Sequence, residues 1–179
     1  MTRAGRLLAL ARSRPALLGA GRLICVDGPS GSGKTTLADE LGHRGPAHVL
    51  HLDELLEGWD GGFAAVLDAL VTDVLQPLAQ GRPAAYHRWD WHTGQFAEWV
   101  PVPATPLLVV EGVAAGARPA AAYASAIAWV EADRDVRMAR GLARDGDAFA
   151  PHWERWAERE AEHFARERTR ERADVLLTT

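Results

Sequence analysis

The chain has 179 residues, 47% hydrophobic and 25% charged, proportions of a folded globular protein that exclude a disordered, collagenous or membrane-embedded chain. A net charge of -4 argues against a general nucleic-acid binder, and a single cysteine, Cys25, excludes an internal disulfide and makes the cytoplasm the expected compartment. At this length one domain over 1–179 is expected, burying about 70% of its unfolded surface without a metal or disulfide staple.

In residues 1–20, Arg3, Arg6, Arg12 and Arg14 interrupt a leucine-rich stretch too often for a signal peptide or a bilayer span. The segment reads as an amphipathic leading helix rather than a membrane-surface anchor. Residues 23–26 form a short apolar strand, with Cys25 as a small core residue, and a helix begins at 35–41 and stops near Gly42 and Gly45-Pro46. A second strand at 48–52 ends at Asp53. Phe63, Val66, Leu67, Leu70, Val74, Leu75 and Leu78 recur at helical spacing, which predicts one amphipathic helix over 63–79. Residues 86–99 are aromatic and polar, are followed by Pro101, Pro103 and Pro106, and read as a loop or an irregular hairpin. The apolar runs 107–110 and 126–130 suit strands buried on both faces. An arginine-rich helix is expected over 133–145. A charged helix over 153–172 places Trp153, Trp156, Ala157 and Phe164 toward the core and its alternating Arg and Glu on an ordinary solvated face. A last strand covers 175–177. Five strands alternating with helices predict an α/β fold with a parallel sheet and right-handed crossovers, and any ligand belongs at the carboxyl ends of the strands.

All but one of the 20 basic residues are arginine; the exception is Lys34. It stands in Gly28-Pro29-Ser30-Gly31-Ser32-Gly33-Lys34-Thr35, which satisfies the G-x-x-x-x-G-K-[ST] phosphate-binding loop between a strand and a helix. Glycines let successive backbone N–H groups turn into one concavity at the positive end of the following helix. The expected nucleotide-binding set is Gly28, Ser30, Gly31, Ser32, Gly33, Lys34, Thr35 and Thr36, with Lys34 on the β- and γ-phosphates and the Thr35 hydroxyl on Mg²⁺. Guanine recognition through N/T-K-x-D would need a second lysine, and the sequence has none.

Glu111, after the strand at 107–110, is placed to stand near Mg²⁺ or its waters. Asp53, at a neighbouring strand end, suits a base that takes a hydroxyl proton, or else an N-cap. Asp27 reads equally as a metal-side carboxylate or a polar strand end. Arg137, Arg140 and Arg144, at i, i+3 and i+7, share one helical face; beside a triphosphate such a face acts as a basic lid, with Arg137 on the nucleotide and Arg140 and Arg144 on the charge that spreads in the transition state. In the aromatic segment Tyr86, Trp89 and Trp91 could stack on a base while Arg88, Asp90 and His92 bond a sugar or base edge; packing of the same residues as a hairpin is the competing reading.

Taken together, the 27–36 loop, Asp53, Val110-Glu111-Gly112 and the order Asp-x-Asp-Val-Arg-x-x-Arg-x-x-x-Arg-Asp over 133–145 resemble the uridine kinase-like branch of the P-loop nucleoside kinases. The resemblance implies a P-loop kinase-type three-layer α/β/α fold with a mostly parallel five-stranded sheet, the third strand beside the P-loop strand and a small arginine-rich lid over 133–150. It implies transfer of the ATP γ-phosphate, with Mg²⁺, to a hydroxyl of a uridine- or cytidine-like acceptor. Asp53 would be the base, Thr35 and Glu111 the metal side and Arg137, Arg140 and Arg144 the clamp. The chain departs from the pattern at 54–57, where Glu54-Leu-Leu-Glu57 replaces aromatic residues, and Gly141 stands where a second arginine often does. Other acceptors of the same fold stay open: a sugar, an antibiotic, or a nucleoside monophosphate held by Arg88 with Arg44 or Arg82. So does a non-catalytic ATP-binding or ATPase switch that meets a partner through Trp89, Trp91 and Trp99. The expected partner is a small hydroxyl compound, with no nucleic acid and no membrane.

Overall fold

The computed structural model describes residues 2–146 and 150–179. Helix α1 (Arg3–Ser13) starts at Thr2, whose hydroxyl oxygen accepts the Gly5 N–H at 3.1 Å. Ala4, Leu7, Leu8 and Ala11 lie on one side of it and are buried, so the leading segment packs as an amphipathic helix. The chain continues through β1 (Arg22–Asp27), α2 (Lys34–Gly42) and β2 (Ala47–His51), then a single 3₁₀ turn (Leu52–Glu54). Helix α3 (Phe63–Ala69) passes through a wide turn (Leu70–Leu75) into α4 (Gln76–Ala79). The uninterrupted α-helix expected over 63–79 is therefore widened in its middle, and Pro77 supplies the reason. A proline ring collides with the carbonyl four residues back and offers no N–H, so the turn opens to the π form and the Gln76 N–H reaches Val71 O.

Strands β3 (Ala84–Asp90) and β4 (Gln95–Val102) pair antiparallel as a separate hairpin, its turn closed by Gly94 at φ +67°. They are followed by β5 (Leu107–Glu111), α5 (Arg118–Ala121), β6 (Ala124–Glu131) and α6 (Arg134–Asp145). Residues 147–149 of the expected lid lie outside the described residues. Helix α7 (Trp153–Glu167) leads to α8 (Thr169–Arg172) and β7 (Val175–Thr178). The helix expected over 153–172 is thus broken at Arg168, which takes the left-handed conformation at φ +54°.

The main sheet is all-parallel, in the order β2-β5-β1-β6-β7, so the strand after the hairpin lies beside the P-loop strand. Side chains alternate along β1: Leu23 and Cys25 join Leu108 and Val110 in the core under α3, while Ile24 and Val26 join Val109 in the core under α1 and α2. Burial on both faces accounts for the unbroken apolar runs of β1, β5 and β6. Helices on both sides give three layers and leave the carboxyl edge of the sheet open. Among the described residues no helix is long and apolar enough to cross a membrane.

Candidate active site

The glycine-rich loop is anchored before it begins. Asp27 is fully buried, and its carboxylate accepts the backbone N–H groups of Gly28 at 2.7 Å, Ala114 at 3.0 Å and Gly116 at 2.9 Å, which ties β1 to the turn after β5. Burial pushes its pKa up to about 6 against these donors and Lys34. Of the two readings of Asp27, the carboxylate is engaged as a strand-end anchor. Gly28 and Gly31 adopt φ +142° and +76°, and a Cβ at either would meet backbone at once, 2.0 Å from Val130 O and 2.4 Å from Arg137 O. Lys34 is 8% exposed and its Nζ donates to Pro29 O at 3.1 Å, across the mouth of the loop. The buried Ser32 Oγ has no hydrogen-bond partner among the described residues, an orphaned polar atom inside the cradle.

Opposite the loop stand the carboxylates delivered by β5 and by the turn after β2. Glu111 Oε1 accepts the Thr35 hydroxyl at 3.2 Å and lies 2.7 Å from His51 Nδ1. Burial raises the Glu111 carboxyl, but the His51 hydrogen bond, Lys34 and Thr35 outweigh it and hold the group below the ordinary carboxylate range. His51 is raised in return, chiefly by that hydrogen bond. The Thr35 hydroxyl and the Glu111 carboxylate converge as hard oxygen donors, the sparse protein contribution that Mg²⁺ takes when phosphates and water complete its shell.

Asp53 sits inside the 3₁₀ turn rather than at its cap, which is His51. Its surface opens onto the cleft while protein surrounds it on the other sides. That loss of solvation raises its carboxyl, Lys34 opposes the shift and Glu111 reinforces it. The Trp91 indole donates to Asp53 O at 2.8 Å and pins the hairpin turn against this strand end.

Two cavities meet at these groups. One of about 300 Å³ is lined by the loop, Lys34 and Thr36, and by Arg140 and Arg144 of the lid helix. The second, about 540 Å³, is walled by Leu56, Trp59, Trp91 and Trp156. Ser30, Thr35, Asp53, Glu111 and Arg144 line both. A third, about 420 Å³, lies past Gly33 and Thr36 between Arg3, Glu40, Arg140 and Thr179. The rings of the tryptophan wall touch one another: Trp59 meets Trp91 edge-on at 5.2 Å and Trp156 at 5.9 Å, and stacks on His152 at 4.9 Å. The Arg159 guanidinium holds the Trp59 and Gly61 carbonyls and lies 5.3 Å over the Trp156 ring.

Two of the three α6 arginines bond to the loop and the third lines the cavities beside it. Arg137 donates to Ser30 O at 3.3 Å, Arg140 to Gly31 O at 3.3 Å and to the Thr179 hydroxyl at 2.8 Å, and Arg144 lines the two joined cavities. The aromatic segment divides. Trp91 walls the second cavity, whereas Tyr86 is buried with its hydroxyl on Glu54, Arg88 pairs with Glu98 across the hairpin at 2.8 Å, Asp90 accepts the His92 and Thr93 N–H groups in the turn, and His92 is exposed there. Of the expected acceptor-site residues, Tyr86, Arg88, Asp90 and His92 do not line this cavity: the 3₁₀ turn engages Tyr86, hairpin pairing Arg88 and turn closure Asp90, and His92 stands exposed in the turn. Arg44 and Arg82 are likewise engaged elsewhere, with Glu40 and Gln80.

Several site residues escaped the sequence reading. His51 looks like any alternating strand residue, and Trp59 stands in an unpatterned loop. The arginine and glutamate of α7 suggested a solvated face, yet Glu160 and His163 are buried and Arg159 clamps the tryptophan wall. The signal available was Trp156, which a core-facing pattern already singled out and which carries Arg159 and Glu160 with it.

No family profile matches the sequence, and no curated relative matches it. Solved structures do. A possible uridine kinase from Bacillus stearothermophilus superposes with a TM-score of 0.65 at 20% identity over 99% of this chain and 100% of that one. A candidate fructose transport system kinase from Silicibacter sp. TM1040 gives 0.66 at 19% identity, covering 98% of each chain. The chain shares the fold of these two proteins.

Proposed function

We propose that the chain is an ATP-dependent kinase that transfers the γ-phosphoryl group to a hydroxyl of an uncharged, ring-bearing acceptor of nucleoside type. The carrying observation is the junction of the loop cavity with the tryptophan-walled cavity at Asp53, Glu111, Thr35 and Arg144. Phosphoryl transfer asks for positioning and charge neutralisation more than for covalent chemistry. The loop amides and Lys34 would hold the phosphates, the third cavity would take the remainder of the nucleotide, and Arg144 would meet charge spreading onto the transferred group. Thr35 and Glu111 would hold Mg²⁺, which when bound neutralises β- and γ-phosphate oxygens. Asp53 would accept the proton of the attacking hydroxyl, and its raised carboxyl brings it nearer the pH at which a base is effective.

The two structural neighbours bear names with different acceptors, so the choice rests on this cavity. Three tryptophans line it, and their rings suit a flat acceptor. The arginines that a monophosphate acceptor would need, Arg88 with Arg44 or Arg82, bond to other groups outside it. An ATP-consumption screen with Mg²⁺ across nucleosides, nucleoside monophosphates, sugars and aminoglycosides tests the reading. A phosphorylated nucleoside is the expected product; ATP loss indifferent to every acceptor would instead favour an ATPase switch.

A further inference from the structure

Helix α7 sends a carboxylate onto the glycine-rich loop. Glu160 is 2% exposed, and its Oε1 accepts both the Ser30 backbone N–H, at 2.9 Å, and the Ser30 hydroxyl proton. The Trp156 indole N–H is shared between Glu160 Oε1 at 2.7 Å and Ser30 Oγ at 2.9 Å. Glu160 Oε2 has no hydrogen-bond partner among the described residues; Arg137 Nη1 stands 3.8 Å from it while donating to Ser30 O.

A serine hydroxyl has one proton and two lone pairs. Here the proton goes to Glu160 and one lone pair takes the Trp156 N–H, so Ser30 Oγ has only an accepting lone pair left to offer. Its backbone N–H, a group that a phosphate loop turns toward anions, is consumed by the same carboxylate. Phosphate oxygens are acceptors too, and find nothing to bond in this corner. Ser30 nevertheless lines both the loop cavity and the tryptophan-walled cavity, together with Asp53.

We infer that Glu160 is a positioning residue that holds Ser30 as a hydrogen-bond acceptor, reserving this corner of the junction for a donor on the incoming acceptor, such as a hydroxyl beside the reacting one, and withholding it from the γ-phosphate. The inference rests on the reading of the two cavities as phosphate and acceptor sites. It makes the protein bind nucleotide less tightly than its cradle permits and ties acceptor recognition to a residue of the phosphate loop itself.

The test compares MgATP affinity, by titration calorimetry, in the parent, Glu160→Gln, Ser30→Ala and the double variant. Glutamine keeps an oxygen at this place but not the charge that makes it so strong an acceptor, which loosens its hold on the Ser30 N–H and O–H and lets them turn to phosphate, so Glu160→Gln tightens MgATP about tenfold, and about threefold or less when Ser30 is already alanine. Weaker MgATP binding by a folded Glu160→Gln protein, or equal tightening in both backgrounds, overturns the inference. Should Glu160→Gln fail to fold, Ser30→Ala decides alone: a loss of MgATP affinity of less than about threefold supports the inference, and a larger loss, the mark of a hydroxyl that donates to phosphate, overturns it. With uridine as the probe acceptor, Ser30→Ala raises KM about tenfold while kcat changes less than about threefold, and an unmoved KM overturns the inference. A parent protein that phosphorylates no nucleoside overturns the nucleoside-kinase reading, and the MgATP comparison still decides the role of Glu160.

Discussion

His163 gives a measure of how firmly α7 is seated against the rest of the protein. Its ring is 1% exposed, packed 4.8 Å from the Phe63 ring, and its Nε2 has no hydrogen-bond partner among the described residues. Burial pushes its pKa from 6.5 down to about 4, with Glu167 opposing and Arg166 adding to the shift. Because the folded-state value lies below the unfolded one, this contribution to stability is whole above pH 6.5 and is lost as the pH falls through about 4. The gap between 6.5 and about 4 is worth about 3 kcal/mol at about 1.4 kcal/mol per pH unit. Its Nδ1 faces the exposed Arg166 at 3.2 Å, and solvent screening on that side reduces the figure to about 2 kcal/mol. In urea unfolding at about pH 7.5 and about pH 4, the parent should lose about 2 kcal/mol more than His163→Phe, which keeps an aromatic ring against Phe63 and cannot take up the proton. Parallel losses in the two proteins would refute the argument, since other carboxylates titrate in both.

Lys34→Ala should abolish phosphoryl transfer and weaken MgATP binding while the melting temperature moves by only about 2 to 4 °C, as a calorimetric scan would show. Asp53→Asn should lower kcat by about 10² to 10⁴ with little change in KM for ATP; an unaltered kcat would remove it as the base. In the parent, kcat should fall on acidification at a pH above the usual carboxylate range, because the raised Asp53 carboxyl must be ionised to accept a proton, and that limb should vanish in Asp53→Asn. Trp91→Ala should raise the acceptor KM by about tenfold or more, whereas Trp99→Ala, on the exposed side of the hairpin and stacked on His87, should leave it unmoved.

The elements that position the cleft were readable wherever a local rule governs them. Leu23 to Val26 and Leu107 to Val110 are apolar without interruption because both faces of their strands are covered, and the glycines of the phosphate loop are required by φ and by the closeness of neighbouring backbone. From such rules came the parallel sheet and the placing of Asp53 and Glu111 at neighbouring strand ends. What stayed hidden depends on contacts between distant parts of the chain. Glu160 meets Ser30 across 130 residues, and nothing in the alternation of Arg and Glu along α7 distinguishes a glutamate that faces water from one that faces the loop. Tyr86 and Arg88 lie in an aromatic, charged segment that advertises binding, while the partners that absorb their polar groups, Glu54 of the 3₁₀ turn and Glu98 across the hairpin, appear only once the chain is folded. Pro77 was a legible warning that the helix over 63–79 could not be regular.

The absence of a side chain at Gly31 has a mechanical meaning for the lid. With the Arg137 carbonyl only 2.4 Å from where a Cβ would stand, the first turn of α6 rests directly on the loop, and no gap remains for the two to slide. If α6 closes over a nucleotide as the proposed function would have it, the pivot must lie beyond that root, because the loop and the first turn of the helix are seated too closely to part. A methyl group at position 31 would act as a wedge, prising the root of α6 off the loop.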